Sequence, residues 1–235
     1  MKLMGFISVD KPKGITSHDV VDKLRKLLHI KRIGHGGTLD PIATGVLPVA
    51  IGEMTRFLEF IPDRTKVYLA EFTFGIGTDS YDLDGKILEK QECPHITSDL
   101  IKGVLESFLG TQEQIPPMVS AKHYKGKRLY QLAREGQVVD VPPKQVTIDE
   151  FTLLEFTEGV HPKGLFRIQC SEGTYVRALA RDIGKAVGAL SVLSWLKRIR
   201  SGPFCIEDSL SLEEIESIVL QGTVEKLFLP FDNIL

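Results

Sequence analysis

Between residues 34 and 48 the chain reads Gly-His-Gly-Gly-Thr-Leu-Asp-Pro-Ile-Ala-Thr-Gly-Val-Leu-Pro, and the rest of the sequence is organised around this stretch. Its one acid is Asp40, which follows three glycines and precedes Pro41. Glycine permits positive φ and lets a ligand approach the backbone, and proline disfavours helical geometry at the residue before it. The stretch therefore predicts a loop that holds one carboxylate rigidly. A plain turn is the alternative, because glycine-rich sequence ending in Asp-Pro commonly begins one.

The composition is that of an ordinary globular chain. Its 235 residues are 43% hydrophobic and 26% charged, which suffices for one large core or a core with a small appendage. No apolar run reaches the roughly 20 residues that cross a bilayer, and we find no signal peptide before the first strand-like segment. We expect a cytoplasmic protein without membrane contact.

The cysteines and histidines show no ligand pattern. Cys93, Cys170 and Cys205 are isolated from one another, and none belongs to a Cys-x-x-Cys pair. The six histidines are scattered, without a His-Glu-x-x-His motif. We therefore expect reduced thiols, no disulfide framework and no metal site.

The formal net charge of −2 conceals a segregated distribution. The phosphates of a nucleic acid interact with the local charge of the protein surface and not with the net charge of the whole chain. The distribution of charge therefore matters for nucleic-acid binding. Acids gather after residue 205, whereas bases gather in two earlier segments. Those bases are Lys11, Lys13, Lys23, Arg25, Lys26, Lys31 and Arg32 in the first segment and Lys122, Lys125, Lys127, Arg128 and Arg134 in the second. Taken alone, either basic run is more typical of solvated surface than of a nucleic-acid site.

Hydrophobic periodicity predicts regular elements on both sides of the Asp40 loop. We predict a strand over residues 5–10, a helix capped by Ser17, and a buried strand over residues 46–51. A further strand over residues 66–74 places Tyr68, Ala70, Phe72 and Phe74 on one face. Tyr68, considered alone, is more typical of a core than of a site.

The composition changes at residue 115. Residues 115–130 interleave bases with aromatic side chains, and proline pairs at 116–117 and 142–143 bracket the segment. Cations suit phosphates and tyrosine rings suit stacked bases, so this excursion is typical of single-stranded or looped RNA binding.

The second half predicts two strands, over residues 144–156 and 164–171, and a helix over residues 174–187. Arg177 lies in the first turn of that helix, where a cation opposes the helix macrodipole. Nothing local explains it, so we predict that an acid elsewhere in the fold pairs with Arg177. Another strand over residues 193–199 follows, and Ser211 with Glu214 forms a capping box for the last helix.

Four landmarks resemble, in order, the TruB family of tRNA pseudouridine synthases. They are Lys11-Pro12-x-Gly14-x-x-Ser17, Gly34-His35-x-Gly37-x-Leu39-Asp40-Pro41-x-Ala43-x-Gly45-x-Leu47-Pro48, Lys66-x-Tyr68 and Gly173-Thr174-Tyr175-x-Arg177. The resemblance implies an α+β catalytic domain over residues 1–204, with a central mixed sheet flanked by helices and an RNA-clamping insertion at residues 115–144. Many bacterial members continue into a C-terminal RNA-binding domain. Here we expect only a short acidic helix and tail at residues 205–235.

The resemblance also implies a reaction. Uridine 55 in the T loop of tRNA would be isomerised to pseudouridine by breaking the N-glycosidic bond, turning the base and rejoining it through carbon, with no cofactor. Asp40 matches the catalytic nucleophile, which acts on a base flipped out of the RNA loop. Attack on the sugar, attack on the base and formation of a glycal all remain open.

Other residues match positions around that acid. Tyr68 matches the ring that stacks on the flipped base, and Arg177 matches the partner of the catalytic acid. Tyr175 and Leu196 match walls of the uracil pocket, and His35 matches a side chain that contacts the flipped nucleotide or fills the space it leaves. For His35 and Leu196, plain packing is the alternative.

The remaining matches are supporting positions. Asp79 matches an acid that orients Arg177, with a surface turn as the alternative, and Lys11 belongs to a supporting motif. The bases expected to contact the RNA backbone are Lys122, Lys125, Lys127 and Arg128.

We expect the chain to act on tRNA as a monomer without an obligate protein partner. Two other functions fit the same residues. A non-catalytic tRNA-folding chaperone would use the same basic patches and would keep its function in an Asp40→Asn protein. A hydrolase of nucleosides or glycosides would release free uracil, although such enzymes usually need a second carboxylate.

Overall fold

The computed structural model describes residues 3–118, 123–124, 126–128, 137, 139 and 141–234. The chain forms two compact units, of which the first comprises Met1–Tyr68 and Leu196–Leu235 and the second Leu69–Trp195. Within the described part, no helix is long and apolar enough to span a membrane.

The elements follow the chain in this order. The strands are β1 (Gly5–Lys11), β2 (Ile33–His35), β3 (Thr44–Ile51), β4 (Lys66–Phe74), β5 (Ile76–Thr78), β6 (Ile87–Lys90), β7 (Gly110–Gln114), β8 (His123–Tyr124), β9 (Lys127–Arg128), β10 (Lys144–Thr157), β11 (Lys163–Cys170), β12 (Ser191–Ser201) and β13 (Phe204–Cys205). The α-helices of the described residues are α1 (Ser17–Leu28), α2 (Ser98–Leu105), α3 (Val176–Ala186) and α4 (Leu212–Leu220). A 3-10 helix covers Gly52–Phe60.

Nine strands form one mixed sheet in the order β1-β3-β12-β4-β11-β10-β7, with β2 beside β3 and β13 beside β12. The β3–β12 pair is parallel, whereas β1–β3, β10–β11 and β7–β10 are antiparallel. The predicted buried face of β4 is confirmed, since Tyr68 is 7% exposed and Ala70, Phe72 and Phe74 are fully buried. The α+β class and the central mixed sheet are therefore confirmed.

In the first unit, α1 packs its apolar face on β1 and β3. Val20, Val21 and Leu24 lie in one buried cluster with Ile7 and Val49. The prediction that Ser17 caps α1 is wrong by one residue. Thr16 is the cap, because its side chain accepts a hydrogen bond from the Asp19 amide while the Asp19 carboxylate accepts one from the Thr16 amide.

The acidic C-terminal segment belongs to the core of the first unit. Its helix α4 has the predicted capping box between Ser211 and Glu214, and Ile215 is fully buried in the same cluster as α1. The Leu210 amide donates to the Ser8 carbonyl, and the Leu229 amide donates to the Phe6 carbonyl. This segment therefore adds backbone hydrogen bonds and apolar area to β1.

The second unit is built on the β7–β10–β11 ladder. Four phenylalanine rings, Phe72, Phe108, Phe151 and Phe166, pack on one another, with centroids 4.7 Å apart for Phe72 and Phe166. The helix α3 begins two residues later than predicted, because Tyr175 is extended and serves as its cap.

Candidate active site

In the first unit, the Asp40 loop is tied by its backbone to the start of α1. The buried Ser17 hydroxyl accepts a hydrogen bond from the Leu39 amide at 2.8 Å and lies 3.2 Å from the Leu39 carbonyl oxygen, to which it donates. The Gly14 amide donates to the Pro41 carbonyl at 2.8 Å. Both residues that flank Asp40 are therefore fixed, which leaves the half-buried Asp40 side chain with little freedom of position.

Strand register brings two cations to the point where the loop enters β3. Gly45 pairs with Lys11 on β1 and with Arg198 on β12. Gly45 has φ of +98°, and a Cβ there would lie 2.2 Å from the Arg198 carbonyl oxygen. Only glycine fits between these strands, and this close approach is what sets Lys11 and Arg198 on either side of β3.

Lys11 is a fully buried cation, and its strand neighbour Gly45 lies in the Asp40 loop stretch. Its Nζ donates to the carbonyls of Pro12 at 2.9 Å and Ile15 at 2.7 Å. Burial lowers the pKa of Lys11 from 10.5 to about 8, with the Asp40 carboxylate opposing this change and Arg198 adding to it. The side chain therefore supports the turn before α1 and shares its electrostatic surroundings with Asp40.

The lowered pKa of Lys11 predicts a pH-dependent stability. Between about pH 8 and 10.5 the folded chain binds fewer protons at Lys11 than the unfolded chain does. Its contribution to the free energy of unfolding therefore rises with pH across this window, and the cost of burying the ammonium is fully present below it. Urea unfolding of the wild type and of Lys11→Met should show the wild type gaining relative to the variant from pH 8 to 10. Parallel pH curves for the two proteins would contradict this prediction.

Three more predicted site residues lie in the first unit. Tyr68 and Leu196 are 7% and 6% exposed, and the Leu196 carbonyl accepts a hydrogen bond from the Thr44 hydroxyl at 3.3 Å. His35 is half-buried on β2, and its buried Nδ1 has no hydrogen-bond partner among the described residues. Burial lowers the pKa of His35, and Arg198 adds to the effect, so both favour the neutral imidazole.

In the second unit, Arg177 pairs with an acid, Asp82, as its position in the first turn of the helix predicted. Its guanidinium forms an ion pair with Asp82 at 3.3 Å, and both side chains are less than a tenth exposed. Arg177 also donates to the Ser80 carbonyl at 3.1 Å, while the Ser80 hydroxyl donates to the Asp82 carboxylate at 2.5 Å. This buried network offsets the unfavourable placement of a cation in the first turn of α3.

The acid in this pair is Asp82, which the sequence analysis did not single out. Asp79 is exposed, and its carboxylate accepts a hydrogen bond from the Lys86 amide at 2.9 Å across the turn. Asp82 is buried because its segment bridges to Leu193 on β12, with the Leu193 amide donating to the Tyr81 carbonyl. The three acids at 79, 82 and 84 were the available signal, but only this tertiary bridge distinguishes them.

Tyr175 is held by a side chain that the sequence analysis also missed. The amide of Tyr175 donates to Gln114 Oε1 at 2.8 Å, and Gln114 Nε2 donates to the Tyr175 carbonyl at 3.2 Å. Gln114 is 3% exposed at the end of β7. The side-chain amide of Gln114 therefore fixes Tyr175, the cap residue of α3, through two hydrogen bonds.

The basic segment at residues 115–144 is described only in part. Lys122 and Lys125 lie outside the described residues. Strands β8 and β9 form an antiparallel ribbon that pairs His123 with Arg128 and Tyr124 with Lys127.

Two solved structures resemble this fold closely. The chain matches "Crystal Structure of a Cbf5-Nop10-Gar1 Complex" with a TM-score of 0.74 at 30% identity, over 97% of this chain and 60% of that one. It matches "Structure of H/ACA RNP bound to a substrate RNA containing 2'-deoxyuridine" with a TM-score of 0.72 at 28% identity, over 97% and 60%. The chain thus spans about three fifths of those chains. The fold is that of the pseudouridine synthases.

Sequence comparison identifies the family. The model for "TruB family pseudouridylate synthase (N terminal domain)" matches residues 25–176. A relative from Moorella thermoacetica named "tRNA pseudouridine synthase B" is 50% identical over 97% of this chain and 74% of its own length. Relatives of the same name from Bacillus cytotoxicus and Microcystis aeruginosa are 48% and 46% identical, over 98% and 91% of this chain and 76% and 72% of theirs. The chain belongs to the TruB family of pseudouridylate synthases and is an isomerase.

Proposed function

We propose that this protein isomerises uridine 55 in the T loop of tRNA to pseudouridine, with Asp40 as the nucleophile. The observation that carries the proposal is the Asp40 loop, whose flanking residues Leu39 and Pro41 are both fixed by hydrogen bonds to the turn and helix before it. A nucleophile held in one position lowers the entropic cost of attack. The relatives named "tRNA pseudouridine synthase B" support tRNA as the substrate.

The target base must leave the RNA stack before Asp40 can reach its glycosidic bond. We propose that Tyr68 stacks on the flipped uracil, that Leu196 and Tyr175 wall its pocket, and that the neutral His35 contacts the flipped nucleotide. Two observations support these roles. His35 has an unpartnered buried Nδ1 among the described residues, which a nucleotide hydroxyl could satisfy. Tyr175 is fixed by Gln114 and so needs little reordering on binding.

Arg177 is proposed as the partner of the catalytic carboxylate. The buried Asp82 holds the guanidinium in one orientation. A guanidinium carries five N–H groups in a planar fork, so it can bind two carboxylates at once. Asp79 would act more remotely, through the turn that it closes with Lys86.

Residues 115–144 are proposed as the RNA-clamping insertion of a catalytic domain that spans residues 1–204. Replacing Lys125, Lys127 and Arg128 with alanine should weaken tRNA binding and flatten its salt dependence. Each lost phosphate contact reduces the slope of log K against log salt by about 0.7 to 0.9. Filter binding from 50 to 300 mM salt measures this slope, with Lys163→Ala, at a lysine of β11 that pairs with Glu71, as the control. An unchanged slope would place the RNA on another surface.

Incubation with a T-stem-loop transcript tests the proposed function. We expect a carbodiimide-reactive, mass-silent product at position 55, and no product when that position carries cytidine. Free uracil in the supernatant would identify a hydrolase instead. A transcript that remains unmodified under conditions of demonstrated binding would contradict the proposed activity and favour the chaperone.

A further inference from the structure

Arg198 stands out because it is a fully buried cation whose hydrogen-bond partners, among the described residues, include no carboxylate. It is 1% exposed, among the most deeply buried large side chains of the protein. Among the described residues, its side-chain hydrogen bonds go to two neutral carbonyl oxygens. Burying a charge against neutral groups is costly, and an apolar side chain would fill the same space at lower cost. This cost indicates that the function of the guanidinium lies in the two carbonyl groups that it binds.

The two hydrogen bonds of Arg198 join the sheet to the Asp40 loop. Nε donates to the Val46 carbonyl on β3 at 2.7 Å, and Nη2 donates to the Gly37 carbonyl at 3.0 Å. Gly37 precedes Asp40 by three residues and has φ of +98°. One planar side chain therefore fixes the backbone on both sides of Asp40, before it at Gly37 and after it at Val46.

The hydrogen bonds of Arg198 add to those that the start of α1 and the turn before it make with the loop. Ser17 and Gly14 hold Leu39 and Pro41 from one direction, whereas Arg198 holds Gly37 from β12. The loop that carries Asp40 is thus anchored to three separate parts of the first unit. A lysine at position 198 could not replace the arginine, because a single ammonium lacks the spaced donors that reach two carbonyls.

The charge of Arg198 also reaches the site. It lowers the pKa of both Lys11 and His35, each of which is already lowered by burial. Arg198 therefore lies within electrostatic range of two groups beside the loop, and it favours their neutral forms.

We propose that Arg198 is a positioning residue for Asp40, which holds the carboxylate in its reactive position by binding the Gly37 carbonyl. This inference rests on the proposed function for its kinetic consequence but not for its structural one. Displacing a reacting group by about 1 Å can cost about 100-fold in rate. The effect should fall on the chemical step and leave RNA affinity nearly unchanged.

The test compares Arg198→Lys with Arg200→Lys. Arg200 lies two residues further along β12, is exposed and pairs with Asp63, so it is a matched control for the same substitution. Single-turnover rates on the T-stem-loop should fall about 10- to 100-fold in Arg198→Lys, with the Kd for RNA within threefold of wild type. Arg200→Lys should stay within twofold in both. A rate within twofold of wild type for Arg198→Lys would overturn the proposal.

Hydrogen–deuterium exchange provides a readout independent of activity. In Arg198→Lys, exchange should increase in residues 36–42 and stay unchanged in α1, whereas general destabilisation would raise exchange throughout the first unit. Unchanged or uniformly raised exchange would overturn the proposal. If the wild type makes no pseudouridine, the proposed function fails, and exchange in residues 36–42 still decides the role of Arg198. Arg198→Met, which keeps the volume and loses both hydrogen bonds, should loosen the same segment.

Discussion

Asp40→Asn should lower the rate of pseudouridine formation by at least about 1,000-fold, because the amide keeps the shape of the carboxylate and loses its nucleophilicity. The hydrogen bonds that fix Leu39 and Pro41 are made by their backbone atoms and by Ser17 and Gly14, so the loop should persist in the variant. The Kd for the T-stem-loop should therefore stay within about threefold of wild type. Single-turnover assays with carbodiimide detection measure the first quantity, and filter binding measures the second.

Two controls make this result interpretable. Asp99→Asn changes the net charge equally at an exposed acid of α2, so it separates an effect of charge on RNA binding from an effect at the site. Asp40→Ala excludes activity regained through deamidation of the new asparagine. Sustained turnover in both Asp40 variants would remove Asp40 from the chemistry, and a fully active protein would favour a tRNA chaperone.

Asp82→Ala should lower the free energy of unfolding by about 3–5 kcal/mol, because it removes a buried carboxylate that forms an ion pair with the Arg177 guanidinium. The two side chains are 6% and 7% exposed and lie 3.3 Å apart, so the ion pair is largely shielded from solvent. Chemical denaturation measures the loss. Asp84→Ala, at an exposed acid two residues away, should change the free energy of unfolding by less than about 0.5 kcal/mol.

A double-mutant cycle separates the ion pair from the packing of each side chain. Removing both charges, in Arg177→Met with Asp82→Asn, should cost less than the sum of the two single changes, since neither variant side chain is a buried unpaired ion. Strictly additive losses would show that Arg177 and Asp82 are not coupled. A loss in Asp79→Ala as large as that in Asp82→Ala would return Asp79 to the supporting role that the sequence suggested.

Much of the fold follows from local pattern. The face that the alternate residues of β4 share and the capping box of α4 are as predicted. Each depends on residues that are close to one another in the chain. Errors occur at boundaries, where two local signals compete. Thr16 caps α1 in place of Ser17 because Asp19 can complete a reciprocal box with Thr16. Ser17 is thereby free to turn its hydroxyl towards Leu39.

The sequence by itself indicated that Asp40 sits in a loop of special geometry, because glycine permits backbone conformations that other residues avoid and Pro41 restricts the backbone at Asp40. It also determined that Arg177 needs an acid, since a cation at a helix N-terminus is unfavourable without one. It did not determine which acid, and it gave no sign of Arg198 or Gln114. Only the tertiary structure decided these partners, because strand register and the bridge to β12 bring together residues that are tens to more than a hundred positions apart.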